Sequence, residues 1–375
     1  MTFWAAVVGQ PAAVEQLSAA ARDAPGHAWL IVGPAGSGRS VAARALTASL
    51  ECETRTGCGV CTPCREVRAG SHPDVTAVAT EGLSLGVKQM RALAPVAQSA
   101  PSVGRHRVIV IEDADRLTET AANVLLKPLE EPGPATVFVL CAPSLEDVLP
   151  TIRSRCRLVT LRVPSTDDVA DLLVAEGVDR AMASFAAAAA QGHVGRARRL
   201  ARDEDARSRR GSVLALPQEL GSVATALTAA AELVRAADEE SAAEAGERDA
   251  TETASLKEAL GMGVRGVSPR GTAGAVRDLE AEQRSRATRG RRDVLDRALV
   301  DLAALYRDAL VLALDAGVAP VHADQTAVSA ELARTASAES LLCCVDAVLA
   351  CRDAIAANVA PLLACESMAL ALRTG

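Results

Sequence analysis

Aromatic residues are scarce in this 375-residue chain, with three Phe, one Tyr and two Trp. That scarcity argues against an aromatic-rich sandwich of sheets and favours many packed, alanine-rich helices. A surplus of positive charge is also missing: 40 Lys and Arg face 47 Asp and Glu, for a formal net charge of −7. A chain that grips DNA through its overall charge is therefore not expected, although a local basic patch shared with partners remains compatible. No run of eighteen or more uncharged apolar residues occurs, and the first residues lack the basic and apolar regions of a signal peptide. A cytoplasmic protein without a membrane partner is expected. Ten cysteines in a reducing compartment are poor candidates for a disulfide framework, so a tight group of them reads as a metal site.

The length exceeds what one core usually holds, so two or three domains are expected. From Trp29 to about Val159, short apolar runs (residues 27–32, 107–111 and 136–140) alternate with helical stretches. This is the pattern of a parallel α/β sheet. Pro164-Ser165-Thr166 reads as a break and a helix N-cap, followed by small alanine-rich helices to about Asp203. Beyond them, Leu295, Leu299, Leu302, Tyr306 and Leu310 repeat at the three-and-four spacing of one buried helix face. The predicted fold class is α/β plus all-α. Its parts are a parallel-sheet module over residues 1–160 with a cysteine loop at about 52–64, a helical lid over 161–205, and a helical domain over 206–375. Between Ala236 and Arg292 the composition shifts to Ala, Glu, Arg and Gly around a loop-like stretch at 261–271, which predicts a partly mobile insertion. Arg284, Arg286, Arg289, Arg291 and Arg292 in it read as a solvated helix face in preference to a phosphate contact.

Gly33-Pro-Ala-Gly36-Ser-Gly38-Arg39-Ser40 follows an apolar strand and opens a helix, the context of a phosphate loop. Glycines let successive backbone N–H groups converge on an anion, and the helix turns its positive end to the same place. The position that usually holds lysine is Arg39, whose planar guanidinium is a poor substitute for a compact ammonium between phosphates. At the end of a second strand stand Glu112 and Asp113, where a metal-holding and a water-polarising acid usually come in the order Asp then Glu. An acid misplaced by roughly 1 Å costs about 10²-fold in rate. ATP or ADP binding with little or no hydrolysis is expected, while a glycine turn that binds nothing, and plain solvated acids at 112 and 113, stay open.

Cys52, Cys58, Cys61 and Cys64 are spaced Cys-x5-Cys-x2-Cys-x2-Cys, close enough for four thiolates to meet on one tetrahedral ion. Zinc fits such a set, and four cysteines leave no open position, so the ion would be structural. Cys141, Cys343, Cys344, Cys351 and Cys365 read as core packing.

Together these motifs resemble the AAA+ clamp-loader family of bacterial DNA polymerase III. The resemblance rests on Val8-Gly9-Gln10, the phosphate loop, the cysteine loop running into Gly70-Ser-His-Pro-Asp74, the Ala121–Pro132 run with Leu-Leu-Lys-x-Leu-Glu-Glu-Pro, and Ser154-Arg155-Cys156. It covers about the first 200 residues, and the altered nucleotide elements are similar to those of a non-hydrolysing member; against the family's pattern, Cys141-Ala-Pro lacks the polar residue that senses a γ-phosphate and Arg196 falls one position late for a sensor arginine. The resemblance implies that Arg155, flanked by Ser154 and Cys156, acts in trans on the γ-phosphate held by a neighbouring subunit. It implies as partners the gamma/tau and delta subunits, the sliding clamp and, through the assembled loader, primed DNA. Asn123 and Lys127 would face the central chamber or DNA, or simply lie on an amphipathic packing helix. Two other readings are an active ATPase of the gamma/tau type and a zinc-stabilised nucleic-acid binder acting alone.

Overall fold

The computed structural model describes residues 2–80, 84–259 and 272–374. It divides into two compact units, Met1–Arg202 and Asp203–Gly375. The first is α/β and the second all-helical, in agreement with the predicted fold class.

The first unit is built on five parallel strands: β1 (Ala28–Val32), β2 (Val75–Val78), β3 (Arg107–Ile111), β4 (Thr136–Ala142) and β5 (Arg157–Thr160). Their order is β2-β3-β4-β1-β5. The three apolar runs of the sequence are β1, β3 and β4 at the centre of the sheet. β1 and β4 are buried along their whole length, because helices cover both faces. Alternate residues feed two cores. Trp29, Ile31, Val108, Val110, Val137, Val139 and Cys141 pack with α1 (Pro11–Arg22) and α2 (Arg39–Glu51). Leu30, Val32, Ile109, Ile111, Phe138 and Leu140 pack with α4 (Val87–Gln98) and α5 (Glu119–Glu130) on the other side. The short α3 (Thr62–Ala69) follows the cysteine loop, and the four-residue α6 (Pro150–Arg153) leads into β5.

Ser165 is the expected N-cap: its hydroxyl accepts from the Asp168 N–H at 3.1 Å and starts α7 (Thr166–Ala175). With α8 (Arg180–Ala189) and α9 (Val194–Arg202) it forms the small helical segment, whose core is largely alanine (Ala170, Ala183, Ala186, Ala187 and Ala197). Glu176 binds Arg198 and Arg202 at 2.6 and 2.8 Å and ties α7 to α9.

The second unit holds α10 (Glu204–Ala215), α11 (Val223–Ala259), α12 (Thr272–Ala313), α13 (Thr326–Thr335), α14 (Ala338–Ala356) and α15 (Pro361–Thr374). Leu295, Leu299, Leu302 and Tyr306 line its core as their spacing predicts, with Leu310 packed at its margin. The described parts of the 236–292 segment are helical: α11 runs to Ala259 and α12 starts at Thr272. The small residues Ser241 and Gly290 permit close approach of these two helices: a Cβ at Gly290 would sit 2.4 Å from the Ser241 hydroxyl. The Gly261–Gly271 stretch lies outside the described residues. Three of the arginines there are engaged within the unit, Arg289 with Asp293 at 3.9 Å, Arg291 with Asp238 at 3.2 Å and Arg292 with Asn358 at 2.7 Å. Cys343 departs from its expected place in the core: it is exposed, whereas Cys141, Cys344, Cys351 and Cys365 are buried. One position on a helix is a rotation of about 100°, so Cys343 and Cys344 cannot share the inward face.

A buried polar cluster braces the second unit. Arg210 on α10 donates to both carboxylate oxygens of Asp324, at 2.7 and 3.0 Å, and lies 2.9 Å from His322 Nδ1. Arginine only donates, so Nδ1 accepts; the ring proton sits on Nε2, 3.0 Å from the Asp301 carbonyl. Asp308 accepts the N–H groups of Val321 and His322 at 3.0 and 2.8 Å.

Candidate phosphate loop, cysteine centre and exposed arginine

The phosphate loop starts where β1 ends. Gly33 has no room for a side chain: a Cβ there would meet the Ser37 hydroxyl at 2.6 Å and the Leu161 carbonyl at 2.7 Å. Gly36 has φ +84° and lies against the segment before α9, so that a Cβ would come within 2.7 Å of His193 Cα. Gly38, at φ +91°, is the N-cap of α2 and faces open space. These three conformations bring the first turn of α2 to the end of the sheet, the arrangement an anion needs. Arg39 folds back, its NH1 donating to the carbonyl of Gly33 at the mouth of its own loop. The Ser40 hydroxyl donates to Glu112 at 3.1 Å, which joins the loop to the end of β3. Asp113 is drawn elsewhere and accepts the Thr80 N–H at 2.8 Å. The structure thus gathers Gly33, Gly36, Gly38, Arg39, Ser40 and Glu112 in one place, with Asp113 turned toward the chain after β2. At the end of β4, Cys141 offers no polar partner to a phosphate, and burial followed by the nearby Glu112 charge pushes its thiol up to about 12.

Gln10 is a residue whose role the sequence does not disclose. Its amide nitrogen donates to the carbonyls of Arg162 at 2.5 Å and Ser37 at 3.3 Å, and its oxygen accepts the Arg162 N–H at 3.2 Å. It clasps the phosphate loop to the chain just before α7. A buried glutamine 27 and 152 residues from its partners leaves only a weak trace in sequence, a lone polar residue beside Gly9.

The four sulfurs of Cys52, Cys58, Cys61 and Cys64 lie within 4.8 Å of one another. Cys58 to Cys64 is 4.0 Å and Cys61 to Cys52 is 3.9 Å. Bonds of 2.3 Å to a tetrahedral ion put sulfurs about 3.8 Å apart, so the set fits a metal of that kind. The loop closes through left-handed turns at Gly57 and Gly59 (φ +62° and +79°). Burial would raise the Cys52 thiol, but the Cys58 N–H, 3.5 Å from its sulfur, and the Thr54 hydroxyl outweigh it and bring it down to about 5. Thiolate character of that kind is what a metal ligand requires, whereas burial pushes the Cys64 thiol of the same set up. Phe3 braces the module, donating its N–H to the Gly57 carbonyl at 2.9 Å while its ring lies under the Arg68 guanidinium.

Ser154, Arg155 and Cys156 form the turn between α6 and β5. Backbone bonds from Ser154 to Pro150, Arg155 to Ile152 and Cys156 to Arg153 fix it at 3.0 to 3.2 Å. Cys156 packs inward, where burial pushes its thiol up to about 12, and Ile152 is buried beside it. Arg155 points outward. Ser154 accepts from its NH1 at 3.2 Å and Glu130, at the end of α5, accepts from its Nε at 2.7 Å. On α5, Ala121, Ala122, Leu125, Pro128 and Leu129 are buried, whereas Asn123, Lys127 and Glu130 are exposed, so packing and presentation belong to opposite faces.

Residues 9–165 match the family model "DNA polymerase III, delta subunit". A DNA polymerase III subunit delta' from Haemophilus influenzae is 41% identical over 145 residues, 38% of this chain and 44% of that protein. The Bacillus subtilis subunit delta' is 31% identical over 201 residues, 53% of this chain and 61% of that protein. A gamma/tau subunit from Mycobacterium tuberculosis is 38% identical over 158 residues, 40% of this chain and 27% of that protein. The chain thus spans about half the length of the curated delta' relatives it matches. Among solved structures, a gamma subunit-related protein from Thermotoga maritima is similar with a TM-score of 0.36 and 19% identity, over 77% of this chain and 98% of that one. Over residues 9–165 the chain is similar to the DNA polymerase III delta-subunit family, and there it resembles the DNA polymerase III subunits delta'.

Proposed function

We propose that this chain is the delta-prime-type subunit of a clamp loader, with little or no ATPase activity of its own, whose Arg155 completes the nucleotide site of a neighbouring subunit. The observation that carries this reading is where Arg155 stands on the sheet. β1 and β5 are parallel, with Trp29 opposite Arg157 and Val32 opposite Thr160. The phosphate loop leaves the carboxyl end of β1, whereas Arg155 precedes the amino end of β5. Four strand residues, roughly 13 Å, separate the two edges. Arg155 therefore stands at the opposite edge of the sheet from its own phosphate loop, which supports a role on a phosphate held by another molecule. Such an arginine stabilises charge on a transferring phosphoryl group and is worth about 10³–10⁵ in rate.

The chain's own loop suits a non-hydrolysing role. The Arg39 guanidinium is spent on Gly33, and the acid facing Ser40 is Glu112, one methylene longer than the usual aspartate. The cysteine centre holds structural zinc, which fastens the chain between α2 and α3. The second unit serves as the collar that assembles with gamma/tau and delta subunits, and the assembled loader places the sliding clamp on primed DNA in the cytoplasm. One contact favours the second reading, an ATPase of the gamma/tau type: the Ser40–Glu112 pair at 3.1 Å still resembles a magnesium-holding pair. Turnover by the purified chain separates the two. The first reading expects no ATP hydrolysis by the chain alone and DNA-stimulated hydrolysis by a loader only when the chain is present. Steady turnover by the chain alone favours the second.

A further inference from the structure

A guanidinium has five N–H bonds. In Arg155 four of them have acceptors within the chain. Nε donates to Glu130 Oε1 at 2.7 Å, NH2 donates to the same oxygen, and NH1 donates to the Thr151 carbonyl at 2.7 Å and the Ser154 hydroxyl at 3.2 Å. Glu130 lies 25 residues earlier, on the last turn of α5, and both side chains are open to solvent, 31% for Arg155 and 48% for Glu130. The acceptors are of two kinds. Thr151 and Ser154 belong to the same turn as Arg155 and aim it; Glu130 comes from another helix and is a carboxylate, which competes with phosphate for the same fork of donors.

We infer that Glu130 is a parking partner for Arg155: it holds the guanidinium in the resting chain, and a neighbour's γ-phosphate must displace it before the arginine can act. This rests on the trans role proposed above. The exposure of the pair makes it weak enough for reversible exchange. A phosphate bearing more charge than a carboxylate wins when the neighbouring site is correctly docked and loses when it is not. Glu130 is thus a positioning residue that keeps hydrolysis low until the loader engages its target.

The test is ATP turnover by a reconstituted loader carrying the natural chain, Glu130→Ala, Glu130→Gln, Arg155→Ala or the Glu130→Ala/Arg155→Ala pair, with and without primed DNA. Removing the parking carboxylate should raise kcat without DNA by about two- to fivefold, the size of an exposed ion pair, and leave KM for ATP unchanged. Glu130→Gln should fall between the natural chain and Glu130→Ala, the DNA-stimulated rate should be unaltered, and the double variant should behave as Arg155→Ala. A change in the packing of α5 alone would not raise kcat selectively in the absence of DNA. If Glu130→Ala leaves kcat unchanged or lowers it while Arg155→Ala abolishes stimulation, the parking role is wrong and the trans role stands. If Arg155→Ala has no effect, the trans role itself is wrong and the parking role goes with it.

Discussion

Gly36 and Gly38 belong to one loop and both have positive φ, yet a side chain would meet very different surroundings at each. At Gly36 a new Cβ would lie 2.7 Å from His193 Cα, whereas at Gly38 nothing lies within 4 Å. Gly38→Ala should cost only the left-handed backbone penalty, about 1–2 kcal/mol. Gly36→Ala should cost at least that and a further 1 kcal/mol or so, as backbone must shift. Urea unfolding of the two variants would show the difference, and equal losses would mean that the His193 contact is not formed in solution. The identity and spacing of the loop residues were legible because glycine and a following helix leave a fixed signature. The fold-back of Arg39, the Gln10 clasp and the Glu130 partner were not: each joins side chains to groups whose separation in sequence carries no period.

Among the elements, the cysteine loop was the most completely legible, since two Cys-x2-Cys steps dictate sulfur convergence before any tertiary contact is known. One equivalent of zinc per chain is expected by atomic emission, and strong chelation should lower the unfolding temperature and expose the thiols of Cys58 and Cys61 to alkylation. Zinc-free protein with unchanged unfolding would reject a structural metal. β2 and β5 were not read, because four-residue edge strands with intermediate or exposed positions lack the apolar run that announced β1, β3 and β4. The cluster around His322 was equally hidden, but it predicts a pH response. Burial first and then the Arg210 charge hold the imidazole below its ordinary 6.5. The unfolded chain therefore binds a proton that the folded chain resists. This contribution to stability is present above about pH 6.5 and is lost as pH falls through the lowered folded value. His322→Gln should flatten the fall in unfolding temperature between pH 7 and pH 5 relative to the natural chain. An identical slope for both would show that His322 does not titrate in that window.

At the scale of the whole molecule, the order of motifs fixed the α/β unit, while the second unit was visible only as helix. Amphipathic spacing shows that Leu295, Leu299 and Leu302 are inward, but not which helices they meet, and the charge-rich composition read as a partly mobile insertion belongs in its described parts to the long helices α11 and α12. Each unit has its own hydrophobic clusters, so residues 1–202 should fold alone, keep the cysteine centre and fail to join a loader whose assembly depends on the second unit. Size-exclusion chromatography with the partner subunits checks this; co-elution of the fragment would move the assembly surface to the first unit. The decisive measurement is DNA-stimulated ATP hydrolysis by a loader containing the natural chain or Arg155→Ala, with assembly verified for both. A fall of 10²-fold or more, borne by the neighbour's turnover, is the result expected of an arginine acting in trans; unchanged turnover would contradict it and leave the chain a scaffold.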